Sequence, residues 1–92
     1  MTTHRPQLSI VLPAKNEAQS LGALLGQITK LHPEAELLVV DDGSTDNTAT
    51  IAAEAGARVI RNPYSMGNGA AVKTGARAAQ GDILVFMDAD GQ

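Results

Sequence analysis

The chain has no cysteine and no tryptophan, one phenylalanine, one tyrosine and no excess of positive charge. Without cysteine there is neither a disulfide framework nor a thiolate metal site, a composition compatible with a cytoplasmic location. With so little aromatic bulk, a hydrophobic share of 43% must build its core from Ala, Val, Ile and Leu, the palette of sheets covered by closely packed helices. Ten acidic against seven basic residues and no Lys/Arg-rich stretch leave no electrostatic footprint for nucleic acid. Apolar runs reach roughly five to six residues, far below the ~18–20 of a membrane-spanning helix, and the start lacks a signal-peptide core.

A length of 92 residues allows one domain at most, burying roughly 60–65% of its unfolded surface. Strand-length apolar runs occur at Leu8 to Leu12, Leu37 to Val40, Arg58 to Ile60 and Ile83 to Met87. Each of the first three is followed by turn-formers and a helix-like segment, so the pattern reads β-α-β-α-β-α-β. Leu21, Leu24, Leu25, Ile28 and Leu31 form one apolar stripe on the first helix, with Asn16 as its expected cap, Gln19 as capping-box partner and His32-Pro33 as its stop. The second helix is expected from near Asp46, itself read as a cap, to Gly56. The third, from about Gly69 to Ala79, is rich in Ala and Gly, which implies tight packing on a sheet. Strands alternating with helices predict an α/β fold: a Rossmann-like open parallel sheet with helices on both faces.

Ligands of such sheets bind beyond the carboxyl ends of the strands. The residues expected there are Pro13 to Glu17, Asp41-Asp42-Gly43-Ser44, Asn62-Pro63 and Asp88-Ala89-Asp90. If the chain stays extended after Met87, Asp88, Asp90 and Gln92 present their oxygens to one side and suit a hard cation. Carboxylates gathered at Glu17, Asp41, Asp42, Asp88 and Asp90 repel one another and any anionic substrate, unless Mg²⁺ or Mn²⁺ lies between them and a phosphate. A phosphorylated, metal-chelated ligand follows, and Asp42 is the candidate to accept hydrogen bonds from a base or ribose. Simpler readings exist for several of these features. Asp41-Asp42-Gly43 has the composition of a turn, any strand can end in acids, and Lys30, Lys73 and Arg77 read as solvated helix residues. His4 and His32 have no matching partners, and Gly67 to Val72 is a poor dinucleotide loop with Val72 where the third Gly belongs.

Taken together, Ile10 to Glu17, Val39 to Thr48, Gly67 to Ala71 and Asp88-Ala89-Asp90 resemble the amino-terminal half of a family 2 glycosyltransferase, over about residues 8 to 92. The ending Asp88-Ala89-Asp90-Gly91-Gln92 is similar to the dolichol- or polyprenyl-phosphate branch. The resemblance implies a GT-A fold that binds a nucleotide-diphosphate sugar with Mg²⁺ or Mn²⁺. It implies that Pro13, Ala14 and Glu17 line the nucleotide pocket, that Asp42 contacts the base, and that Asp88 and Asp90 serve ribose, metal and diphosphate. Gln92 is then a further metal ligand, and no residue is assigned as catalytic base.

Residues 1–92 are accordingly expected to be a partial glycosyltransferase domain, a donor-binding half without the acceptor half. The parent would use a lipid-phosphate acceptor and associate with a membrane. The alternative is a noncatalytic nucleotide- or metal-binding module. A receiver-like domain is disfavoured, because it needs its acids after the first and third strands. A half-sheet ending at its fourth strand also predicts self-association through the exposed edge.

Overall fold

The computed structural model describes residues 6–89. Along the chain lie β1 (Leu8–Ala14), α1 (Ala18–Leu31), β2 (Glu36–Asp42), α2 (Thr48–Glu54), β3 (Arg58–Asn62), α3 (Asn68–Ala78) and β4 (Ile83–Phe86). The strands form one sheet in the order β3-β2-β1-β4, and every pairing is parallel. Because side chains alternate along a strand, the sheet carries two apolar layers. Ile10, Leu12, Leu37 and Val39 pack with Leu21, Leu25, Ile28 of α1 and Ala52 of α2, whereas Val11, Leu38 and Val40 pack with Ala71 of α3 on the other side. The predicted α/β sheet with helices on both faces is the observed one.

The helix stripe holds in α1 for Leu21, Leu25 and Ile28, but Leu31 is 74% exposed because the helix ends there and the chain turns away at His32-Pro33. At the end of α2, Gly56 takes a φ of +92°, and the N–H groups of Gly56 and Ala57 donate back to Ala53 O and Ala52 O, closing the helix as expected. Helix α3 lies close to the sheet. A Cβ on Gly75 would come within 2.3 Å of Val11 Cγ1, so only glycine allows that approach.

The strands differ from the sequence reading at their carboxyl ends. Strand β1 runs on through Pro13 and Ala14, and β2 through Asp41 and Asp42, paired Ala14 with Asp41 and Asp42 with Asn62. The two acids therefore sit within a strand and point to opposite faces, not side by side in a turn. Strand β4 stops at Phe86, one residue short of expectation. The last β1–β4 bond is Met87 N–H to Val11 O at 3.0 Å. The next would need an N–H on Pro13, which proline lacks. A crevice between β1 and β4 opens from that point.

Candidate donor-binding cleft

From β1 the chain moves outward to β2 and β3, then returns to place β4 on the far side of β1. This reversal is the switch point at which open α/β sheets bind ligands. A cleft of about 300 Å³ lies there, lined by Pro13, Ala14, Lys15 and Glu17 after β1, Asp42 at the end of β2, Ser65, Gly67, Asn68 and Ala71 at the start of α3, and Asp88 and Ala89 after β4. A larger open groove of about 770 Å³ at the opposite edge, among Pro6, Leu8, Leu31 and Pro33, has Glu34 as its only carboxylate. The smaller cleft is the one with converging polar groups, and those groups carry the chemistry.

One wall is the segment Pro13 to Glu17, held by the loop between β2 and α2. Asn16 N–H donates to Ser44 Oγ at 2.9 Å, Glu17 N–H to Thr48 Oγ1 at 3.0 Å and Ala18 N–H to Asp46 Oδ2 at 3.3 Å. Those donors open α1, so its N-terminus is capped by a loop that follows it in sequence by some 28 to 31 residues. Asn16 is not the cap expected from sequence. Its backbone adopts a φ of +54°, which turns its side chain outward so that Oδ1 accepts from Thr45 N–H at 2.8 Å. Asp46 does cap, but it serves both helices at once: it accepts from Ala18 and, through Oδ1, from the backbone and hydroxyl of Thr48. The Thr48 hydroxyl donation holds the Asp46 carboxyl below its ordinary value, against a smaller opposing effect of desolvation.

The opposite wall is the loop from β3 into α3. Asp42 Oδ1 accepts from Asn62 Nδ2 at 2.9 Å and Met66 N–H at 2.8 Å, and Oδ2 accepts from Ser65 Oγ at 3.1 Å and Gly67 N–H at 3.0 Å. Burial pushes the Asp42 carboxyl up, but these donors outweigh it and leave it below the usual aspartate value. Gly43 allows the close approach: its φ is +76°, and a Cβ there would meet Ser65 N at 2.5 Å. Asp41, on the other face, is not at the ligand edge as expected. It is fully buried, its Oδ1 accepts from Ser44 N–H at 3.0 Å, and its Oδ2 faces Arg61 Nε at 3.6 Å without a hydrogen bond. Asp41 thus fixes Ser44, which in turn fixes the Asn16 backbone.

The third side follows β4. Ala89 is buried in the core shared with α1, and its carbonyl accepts from Ser20 Oγ at 3.4 Å. That anchor leaves the neighbouring Asp88 exposed at the cleft. Asp88 lies beyond the end of β4, so strand alternation does not present it as the sequence reading supposed. Asp90 and Gln92 lie outside the described residues. Among the described residues no three acidic, histidine or cysteine side chains converge into a metal cage. The donors at the cleft nevertheless fit Mg²⁺ or Mn²⁺, hard cations that take one or two carboxylates and complete their shell with substrate phosphate. Lys15 supplies a positive charge among the described lining residues.

A family model described as Glycosyl transferase family 2 matches residues 9–92. The chain belongs to that family. It is 39% identical over 89 residues to the 4,4'-diaponeurosporenoate glycosyltransferase of Staphylococcus haemolyticus, covering 90% of this chain and 24% of that protein. In structure it is similar to glucosyl-3-phosphoglycerate synthase from Mycobacterium tuberculosis in complex with Mn²⁺, UDP and glucosyl-3-phosphoglycerate. That match has a TM-score of 0.80 and 36% identity, with coverage of 91% of this chain and 33% of that one. It is also similar to a mannosyltransferase from Pyrobaculum calidifontis in complex with GDP-Man and Mn²⁺, with a TM-score of 0.83, 28% identity and coverage of 96% and 28%. The chain of this family 2 member thus spans about a quarter to a third of the length of these proteins.

Of the sequence-predicted residues, Pro13, Ala14, Glu17, Asp42 and Asp88 meet at one cleft. Sequence reasoning missed Lys15, Ser65 and Asn68 as lining residues, and Ser44, Thr48 and Asn62 as the groups that hold the walls. The Gly67-Asn68-Gly69 stretch was the available signal for the second wall, and as a dinucleotide loop it had been set aside. Among the described residues no helix is long and apolar enough to cross a membrane.

Proposed function

We propose that this chain is the donor-binding portion of a family 2 glycosyltransferase, taking a nucleotide-diphosphate sugar together with Mg²⁺ or Mn²⁺. The observation that carries the reading is the single cleft at the β1/β4 switch point, where Pro13, Ala14, Glu17, Asp42 and Asp88 come together. Two similar structures contain Mn²⁺ with a UDP or GDP compound, which supports the same ligand class here. The proposed donor-site residues are Pro13, Ala14, Glu17, Asp42, Asp88 and Asp90, and the proposed metal ligands are Asp88, Asp90 and Gln92.

In this reading the bound cation neutralises the diphosphate and stabilises the charge it gains as the sugar departs. The chain's own residues bind and orient. The rigid Pro13 to Glu17 wall and the loop held by Asp42 fix the width of the cleft, Lys15 offsets donor charge, and Asp88 provides oxygen at the metal end. No side chain here is assigned as the base that activates the acceptor. The acceptor stays at the level of a class, because the relatives are named for phosphoglycerate and for 4,4'-diaponeurosporenoate. A lipid phosphate rests on the Asp88-Ala89-Asp90-Gly91-Gln92 motif alone.

Titration calorimetry tests the reading. UDP or GDP should bind weakly, Mn²⁺ should strengthen the binding, and Asp88→Ala should remove the Mn²⁺ enhancement while leaving metal-free binding nearly unchanged. Absence of nucleotide binding with and without Mn²⁺ would refute it, and Mn²⁺ binding without nucleotide would favour a metal-binding module instead.

A further inference from the structure

We infer that Asp42 is a positioning residue for the donor site, holding the Ser65-Met66-Gly67 wall in place with a saturated carboxylate, and is not itself the acceptor that reads the base. The inference rests on the donor-site reading and departs from the base contact that sequence resemblance assigns to this residue. A carboxylate offers about four lone-pair sites. Four donors already use them: Asn62 Nδ2, Met66 N–H, Ser65 Oγ and Gly67 N–H, at 2.8 to 3.1 Å. Two of the donors are backbone N–H groups of the turn that leads into α3. An N–H left without its acceptor in a part-buried turn costs more than a solvated one, so the turn keeps its shape only while Asp42 accepts.

The surroundings agree. Asp42 is 6% exposed and Asn62 7%, so the centre of the network is removed from solvent. Gly43 brings the end of β2 to within van der Waals limits of Ser65, which leaves the loop no other seat. A base that hydrogen-bonded to Asp42 would have to displace one of these donors and strand it.

The two roles predict opposite effects for Asn62→Ala. Asn62 donates to Asp42 but is not among the residues that line the cleft. If Asp42 reads the base, losing a competing donor frees a lone pair, and UDP affinity with Mn²⁺ is kept or improved. If Asp42 positions the loop, affinity falls about three- to tenfold, and amide exchange at Met66 and Gly67 in the ligand-free chain accelerates to a similar degree. Kept or tighter binding with unchanged exchange overturns the inference. Circular dichroism checks that the variant is folded. Should it not be, Ser65→Ala, which removes a donor from an exposed loop position, gives the same readout: faster exchange at Met66 and Gly67 supports the positioning role and unchanged exchange overturns it. Failure of the wild-type chain to bind UDP or GDP is a separate result, which overturns the donor-site reading and this role with it.

Discussion

Glu17 donates its backbone N–H to Thr48 Oγ1 at 3.0 Å across 31 residues of sequence, and the Thr48 hydroxyl in turn donates to Asp46. The first turn of α2 and the first turn of α1 therefore share one hydrogen-bond relay, and Thr48 within it is fully buried. Thr48→Val preserves shape but removes both bonds, leaving the Glu17 N–H without an acceptor. Urea denaturation should show a loss of about 1–3 kcal/mol, with Thr48→Ser losing less than about 1 kcal/mol. Equal stability of Thr48→Val and wild type would mean the relay does not hold the wall.

Gly75→Ala sets two effects against each other. Alanine is the better helix former by about 1 kcal/mol, but its Cβ would lie 2.3 Å from Val11 Cγ1 and 3.2 Å from Val40 Cγ2, both in the fully buried layer beneath α3. Overpacking of this kind costs roughly 1–3 kcal/mol, so the variant should be destabilised. Adding Val11→Ala should recover part of the loss. A stabilised Gly75→Ala would show that α3 can lift from the sheet freely.

Acid should weaken the fold through three carboxylates whose native values lie below their ordinary ones. Burial pushes Glu36 up, yet hydrogen bonds from Gln80 N–H, Ser9 and Arg58 and the Arg58 charge bring it down. Asp42 and Asp46 are lowered by the donors described above. A group depressed on folding binds its proton more readily when unfolded, so the stability it supplies is complete above its unfolded value. That stability is lost as pH falls below the ordinary values of 4.5 for Glu36 and 3.8 for the two aspartates, through their lowered native values. Urea midpoints measured down this range should fall, and Glu36→Gln should fall less steeply. A slope unchanged by the substitution would remove Glu36 from the account.

Strand β4 exposes Ile83, Leu84, Val85 and Phe86 at 36 to 52% of their surface, and among the described residues it pairs with β1 alone. An edge with free backbone groups and apolar side chains on both faces invites further pairing. Light scattering should show mass rising with concentration, and Val85→Lys should reduce the rise. A monomer that stays monomeric at high concentration would contradict this.

Much of the architecture was legible in residues alone, because a parallel sheet buried on both faces writes itself as short apolar runs separated by helix periods. The run Leu37 to Val40 and the stripe Leu21, Leu25, Ile28 could hardly be read otherwise. The approximate place of the site was legible too, since strand order makes the carboxyl ends converge and Glu17, Asp42 and Asp88 all follow or close a strand. Individual roles were not. Asn16 looked like a cap and instead takes a left-handed backbone, while the true caps come from Ser44, Asp46 and Thr48. Asp41 and Asp42 looked like equal members of one acidic edge, but strand alternation sends one toward Ser44 and Arg61 and the other toward the turn into α3.

By itself, then, the sequence determined the secondary elements, the layering and the edge that carries chemistry, because hydrophobic period and turn chemistry are local properties. Only the tertiary structure decided which acids face the cleft and which hold its walls. That choice depends on register and on hydrogen-bond donors brought in from segments some 20 to 31 residues away, such as Asn62 to Asp42 and Thr48 to Glu17. Local composition carries no record of such partners.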